Sequence, residues 1–422
     1  MAAYDDREHF IPLRCTDLVN FLAKDRGPLA DAPLGTDERA FRRFAQLLVT
    51  HYHIAYHEKF IALKDLYAPY DPDADTRKVD PIPAAELDFR RDKVFDEVGK
   101  FLEKANYMRL GREEVETIME GSSAWGLEMH VDWDIFERVE FYVRGDETFK
   151  RSYRSLRTLY LKKEVDVPTF SRLVILIKQK AAKGLAPDAD TDNVFIKLFK
   201  NMPKMDLEMV LPGTRPKLSK FDRAMIAYPL VTFGGLITYK YVNEIFFDNT
   251  MPIPEMMKKA AGGVALLALF VGYAYRSYFS WSVKKTNYTL QLTKSLYFQT
   301  LDSNAGVLHR LLDEAEEQEV REALLAYYYL WRHAPSEGWS EKRLDDYIEE
   351  QLQNKLGIKV DFEVADALDK LRALGLLEKS GDRLKVVPLH QALDIVSRKS
   401  LADAAPADAG TPDEQLLSSL TL

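Results

Sequence analysis

AMIAYPLVTFGGLITY (Ala224–Tyr239) and AAGGVALLALFVGYAY (Ala260–Tyr275) are the two stretches on which the fold reading turns. Each runs 16 residues without a side chain charged at neutral pH, and nothing else in the 422-residue chain compares. As helix, such a stretch extends about 24 Å, short of a hydrocarbon core of about 30 Å. The flanks offer extension: Lys240 can snorkel ahead of Tyr241, Val242 and Ile245–Phe247, and Arg276 ahead of Tyr278, Phe279 and Trp281. Tyr and Trp at the ends suit an interfacial belt. Ala261 with Ala265, and Ala268 with Gly272, give small-residue faces for close helix approach. Gly234, Gly235, Gly262 and Gly263 suit lipid better than a water-soluble core helix. The pair predicts a transmembrane helical hairpin over 224–281, with a buried hairpin in a helical domain as the alternative.

Basic residues near the spans orient that hairpin. Arg215, Lys217, Lys220 and Arg223 precede it, and Arg276, Lys284 and Lys285 follow, against Lys240, Lys258 and Lys259 in the connector. Positive-inside logic places both termini on the cytoplasmic or matrix side, with Met251–Pro254 in a short outer loop. The leading segment has no secretory signal and no Arg-rich transit pattern. A bacterial inner membrane is therefore the expected location, or a mitochondrial membrane in a eukaryote.

A net charge of −8 argues against a nucleic-acid-binding face. Charged residues at 29% and hydrophobic ones at 46% predict folded flanks with real cores. Cys15 is the only cysteine, which excludes a disulfide framework and thiolate zinc sites and suits a reducing compartment.

Thr36 and Asp37 cap an expected helix to Tyr67, followed by a proline-rich connector 68–83 and helices over 89–106 and 112–120. Period-two stretches at 127–133, 138–144, 172–180 and 194–200 read as strands, so residues 1–223 form an α+β domain. Residues 282–335 hold an amphipathic helical segment from Ala305 to Trp331. Residues 336–399 read as a winged-helix-like unit: helices 341–352 and 362–374, a wing over 377–387 with its tip at Ser380-Gly381-Asp382, and a closing helix 389–396. Five acids against three bases between Asp361 and Lys379 would repel a phosphate backbone, so this unit is read as a protein-contact module. Residues 400–422 form an acidic disordered tail.

His53 and His57 stand four apart, as two metal ligands on one helix face could, but no third ligand accompanies them, and interface histidines are the preferred reading. Asp71–Asp75 and Asp188–Asp192 begin like calcium loops and then fail at the sixth position, Thr76 and Asn193, and at the twelfth, Ile82 and Phe199. No phosphate-loop, dinucleotide, nucleophile-elbow or zinc-protease motif occurs. Within Lys197–Gly213, Asp206 and Glu208 with Lys200 and Lys204 could serve acid–base chemistry if they converge, against a packing role for the same segment.

Five peptides carry a family resemblance: REHFIPL (Arg7–Leu13), LYAPYDPD (Leu66–Asp73), LFKNMPKMDLEMVLPG (Leu198–Gly213), LYFQTLDSNAGVL (Leu296–Leu308) and VDFEVADALDKL (Val360–Leu371). With them the chain resembles the transmembrane protein 143-like proteins, a family defined by a domain of unknown function. The resemblance spans nearly everything but the acidic tail. It implies two membrane helices and, for eukaryotic members, a mitochondrial setting. It implies no activity, so no catalytic, cofactor-binding or metal residue is carried over.

The expected fold class is thus an α+β membrane protein: N-terminal α+β domain, two-helix transmembrane hairpin, and C-terminal helical segment with a winged-helix-like unit. The expected function is a two-span, membrane-tethered interaction or assembly module, with the bilayer and unidentified cytoplasmic proteins as partners and no cofactor. The alternatives are an oligomeric pore, for which Thr232 and Thr238 are the scarce polar residues, and a membrane-surface enzyme using Lys200, Lys204, Asp206 and Glu208. The small-residue faces are also compatible with a homo-oligomer.

Overall fold

The computed structural model describes residues 9–25, 37–76, 83–120, 128–153, 163–182, 189–217, 227–228, 231–232, 234–235, 239 and 252–403. Four helices come first: α1 (Cys15–Lys24), α2 (Asp37–Tyr67), α3 (Ala84–Lys104) and α4 (Arg112–Glu120), with strand β1 (Met108–Leu110) before the last. Strands β2 (Glu128–His130), β3 (Phe136–Tyr153), β4 (Lys163–Gln179), β5 (Val194–Pro203) and β6 (Arg215–Lys217) follow. The second half holds α5 (Ile253–Gln299), β7 (Thr300–Ser303), α6 (Ala305–Arg332), α7 (Glu341–Leu356), α8 (Val364–Leu374), β8 (Leu377–Ser380), β9 (Arg383–Val386) and α9 (Leu389–Asp403).

The main sheet is antiparallel, in the order β1-β3-β4-β5-β7. Its period-two pattern separates two cores. Tyr142, Val174, Leu176, Ile196 and Leu198 face the helical layer. Their neighbours Phe141, Val143, Leu173, Ile175 and Phe199 face a smaller core closed by α4 and a 3-10 turn over Lys204–Val210. Both faces of the sheet are covered, so the expected period-two strand at 172–180 is in fact a continuous apolar run at Leu173–Ile177, buried on both sides.

Strand β7 joins this sheet from about a hundred residues downstream, Ser303 opposite Lys197 and Asp302 opposite Leu198. Asn304 fixes the junction. It is buried with φ 50°. Its side-chain oxygen accepts from the Ile196 N–H at 3.1 Å, its own N–H donates to the Ile196 carbonyl at 2.6 Å, and its amide donates to Asp73 Oδ2 at 2.6 Å. Asp73, read from sequence as part of a failed calcium loop, thus holds the start of α6.

Helix α6 is the axis of the helical layer, buried continuously from Gln318 to Leu330. Where helices meet, its charges pair. Lys370 on α8 lies 3.1 Å from Glu319 and 2.6 Å from Asp366, and also donates to Glu322. Glu319 accepts further from the Tyr56 hydroxyl at 2.9 Å and Lys104 at 3.0 Å, tying α2 and α3 to the same point. Arg321 donates to the carbonyls of Ile11 at 2.7 Å and Leu13 at 2.6 Å, so the leading segment is strapped across α6 by its backbone. Ion pairs this buried fix orientation as much as they stabilise, because losing one partner strands the other charge.

Helices α7 and α8, the β8–β9 hairpin and α9 follow in the order read from sequence. Ser340 caps α7 by accepting from the Arg343 N–H at 3.4 Å. The second helix, expected from 362, starts at Val364. Gly338 has φ 84°, and a Cβ there would sit 2.5 Å from the Leu384 carbonyl oxygen, the atom to which Trp339 N–H donates at 3.1 Å. Only glycine permits that approach. The core is continuous from Ile11 to Val396, with α9 packed on α2. The acidic tail beyond 403 lies outside the described residues.

The expected membrane hairpin is overturned: among the described residues no helix is long and apolar enough to cross a membrane. The α+β membrane fold class falls with it, as do the integral-membrane location, the two-span function and the pore and membrane-surface alternatives that depended on it. The physical reason lies in the flanks. Helix α5 runs 47 residues, but its apolar part is only Ala260–Tyr275, bounded by Lys258, Lys259 and Arg276, and Lys284 and Lys285 follow. Snorkelling at Arg276 does not supply the missing length, because Ser277, Ser280, Ser282, Lys284 and Lys285 interrupt the aromatic residues beyond it. Most of the first stretch, 224–239, lies outside the described residues. At Gly234 it does come against α5, where a Cβ would meet the Phe270 ring at 3.8 Å. The resulting fold is a mixed helix and sheet structure.

Candidate functional site

The four residues singled out for acid–base chemistry are held on two adjoining elements. Lys200 sits on β5 opposite Arg172. Lys204 heads the 3-10 turn, its Nζ 2.5 Å from Asp146 Oδ2 and 4.8 Å above the Phe170 ring. Asp206 is buried in that turn and Glu208 half-buried. Burial, then the neighbouring Asp206 charge, pushes the Glu208 carboxyl up to about 7. Lys204 lines a large groove beside β1, whereas Lys200, Asp206 and Glu208 do not. The four therefore do not share a pocket. The carboxyl pair belongs instead to the smaller core, beside Leu207 and Leu211.

His53 and His57 stack on α2 with ring centroids 5.8 Å apart, and His53 Nδ1 faces Glu316 Oε2 at 3.0 Å. Among the described residues no three His, Cys, Asp or Glu side chains converge as a metal site. Asp190, in the second calcium-like loop, accepts from the backbone N–H groups of Asp192 at 3.0 Å and Asn193 at 3.1 Å, the habit of a turn residue.

The groove measures about 1060 Å³ and opens between the leading segment, the α3–β1 connection, α4 and the bend of β3. Asn106, with φ 57°, ends α3 and turns the chain into β1. Strand β1 covers only Phe141–Val143 of β3, and β3 then bends at Gly145, φ 77°. Phe10, Tyr107, Val143 and Phe170 supply apolar lining. Arg144 is sandwiched there, 3.8 Å from the Phe10 ring centroid and 4.4 Å from that of Tyr107, and pairs with Glu314 at 2.9 Å. Sequence patterns missed this groove because its lining comes from distant segments with no shared motif.

A second surface was visible in the sequence but misassigned. Along α5, Val264, Ala268, Val271, Tyr275 and Tyr278 follow one another at spacings of four and three residues. All five are exposed, and the four larger ones are 58% to 70% exposed. The partly covered face of the helix, which includes Phe270, Ala274, Ser277 and Trp281, lies about a quarter turn away. Tyr275 stacks on Phe279 with centroids 6.3 Å apart, along the helix surface rather than against another described element. Leu269, Tyr273 and Phe279 are exposed beyond the seam.

Residues 170–306 match a family described as "Protein of unknown function (DUF3754)". The matched part runs from the second half of β4 through α5 to the first residues of α6, and so takes in the exposed helix and the Asn304 junction. No solved structure matches the chain. The chain carries a DUF3754 domain, and that domain is one of unknown function.

Proposed function

We propose that this chain is a self-assembling scaffold that associates with a second copy of itself along α5. The exposed seam Val264–Tyr278 is the observation that carries the reading. A helix apolar round most of its circumference is normally covered by something. Seam positions alternating four and three residues apart are the pattern by which two like helices interlock side chains. Taking about 200 Å² for a whole aromatic side chain, the seam with the adjoining Phe279 offers on the order of 500 Å² per chain, the size of the smaller, weaker specific interfaces.

The finer family relationship, to the transmembrane protein 143-like proteins, belongs to the same proposal. It is supported by the peptides at Arg7–Leu13, Leu66–Asp73 and Val360–Leu371, all outside the matched 170–306, and it assigns no activity.

Light scattering of the purified full chain tests the assembly. The expected result is a dimer or higher multiple that becomes a monomer in Val271→Glu/Tyr275→Glu. Val271→Cys should cross-link chain to chain under oxidation, since Cys15 is the only native thiol. A monomer at every concentration would overturn the reading, and so would lipid vesicles taking up the chain through this surface in place of a second copy.

A further inference from the structure

We propose that the groove beside β1 receives an extended, basic segment of a partner protein, which adds as a strand to the open edge of β3. The inference is independent of α5.

Charge is the first argument. Among the described residues the lysine and arginine lining the groove are already matched, Lys204 by Asp146 and Arg144 by Glu314, and His9 lies 3.3 Å from Glu363. The carboxylates are not matched in the same way. Glu103 and Glu113 are exposed on the groove and have no ion-pair partner among the described residues. Glu114 takes only the Gly111 backbone N–H, at 2.7 Å. The groove therefore presents uncompensated negative charge above an apolar floor, which selects lysine or arginine stems whose methylenes pack and whose heads pair.

Backbone is the second argument. Strand β1 pairs with Phe141, Tyr142 and Val143 and stops there. Beyond Val143, β3 has β4 on one side and, among the described residues, no strand on the other. Arg144, Gly145 and Asp146 at that edge line the groove. An unpaired strand edge next to side-chain pockets is the arrangement that strand addition uses: main-chain hydrogen bonds supply affinity and alternate side chains supply selectivity. Met108, 67% exposed at the end of β1, is placed to cover an incoming apolar side chain. A compact cation would meet the carboxylates but leave the edge and the floor unused.

The test is fluorescence anisotropy of the full chain with a labelled nonapeptide of alternating lysine and valine. Binding that weakens with added salt is expected. Glu103→Lys/Glu113→Lys should lower affinity about tenfold, or about 1.4 kcal/mol, while the remote exposed Glu337→Lys leaves it unchanged. Alternate backbone N-methylation, which keeps the charge and removes N–H donors, should also lower it about tenfold. Absence of binding overturns the proposal. Equal loss in Glu337→Lys shows attraction to net charge alone and overturns it. Undiminished binding of the N-methylated peptide, or full competition by spermine at equal concentration, overturns the strand-addition mode and with it the assignment of the partner.

Discussion

Replacing Lys370 with Met keeps the length of a buried side chain and deletes the one cation that three carboxylates share. Lys370 lies 3.1 Å from Glu319 and 2.6 Å from Asp366, donates to Glu322, and has a side chain only 8% exposed. Burial alone would lower its ammonium pKa; the carboxylates, Glu322 foremost, outweigh that and raise it. Breaking a buried pair by removing one partner costs about 3–5 kcal/mol. At roughly 2–4 °C per kcal/mol for a unit of 150–250 residues, Tm should fall by on the order of 10 °C.

The pH dependence gives a sharper signature of the same substitution. Glu322 sits above its ordinary value of 4.5 because it is buried, in spite of Lys370 beside it. A carboxyl raised by folding stabilises the protein in its protonated form, and that contribution is lost as pH climbs from the unfolded value through the folded one. Asp366 is the opposite case: Lys370 overcomes its burial and lowers it, so its contribution is present above 3.8 and lost on acidification through the folded value. Without Lys370 the Glu322 and Asp366 carboxyls shift upward, and the variant should be penalised more at pH 8 than at pH 5. Guanidinium unfolding followed by circular dichroism at both pH values measures this. Lys370→Met/Glu322→Gln should recover part of the loss at pH 8. A loss below about 1 kcal/mol, or one equal at both pH values, would refute the claim that this lysine compensates buried charge.

Asn304→Ala should cost about 2–3 kcal/mol in chemical unfolding, because it strands the Ile196 N–H and places alanine at a positive φ. Glu208→Gln should flatten the pH dependence of Tm: the native carboxyl, raised to about 7, contributes stability below its unfolded value that is lost as pH rises through 7, so the variant gains relative stability at pH 8. Cys15 should alkylate slowly at pH 8 compared with a free thiol, since burial, then Glu317, pushes it up to about 11; fast labelling of the folded chain would contradict its partial burial at the start of α1.

Local signals carried much of the secondary structure. The helix expected from the Thr36–Asp37 cap to Tyr67 is α2, and Phe41, Phe44 and Leu48 at helical spacing are buried along it. The amphipathic pattern from Ala305 to Trp331 marked α6, yet nothing before it signalled strand β7, because four residues offer no periodicity of their own. The reading of β3 stopped at Arg144, but the strand continues to Tyr153. Its outer half is polar, and only the pairing with β4 keeps it extended.

What the sequence determined by itself is what short-range chemistry determines: helix rhythm, the Gly381 tip, and a helix at Ala260–Tyr275 too apolar to stand bare. It could not decide what that helix faces, since 16 apolar residues satisfy a buried hairpin, a span or a helix–helix seam equally well in one dimension. Tertiary structure decided the rest. It brought Lys204 to Asp146 and the groove while leaving Asp206 and Glu208 in a separate core. It joined residues 196 and 304 through one asparagine. Pairings over such separations depend on which surfaces bury together, and no local pattern encodes that choice.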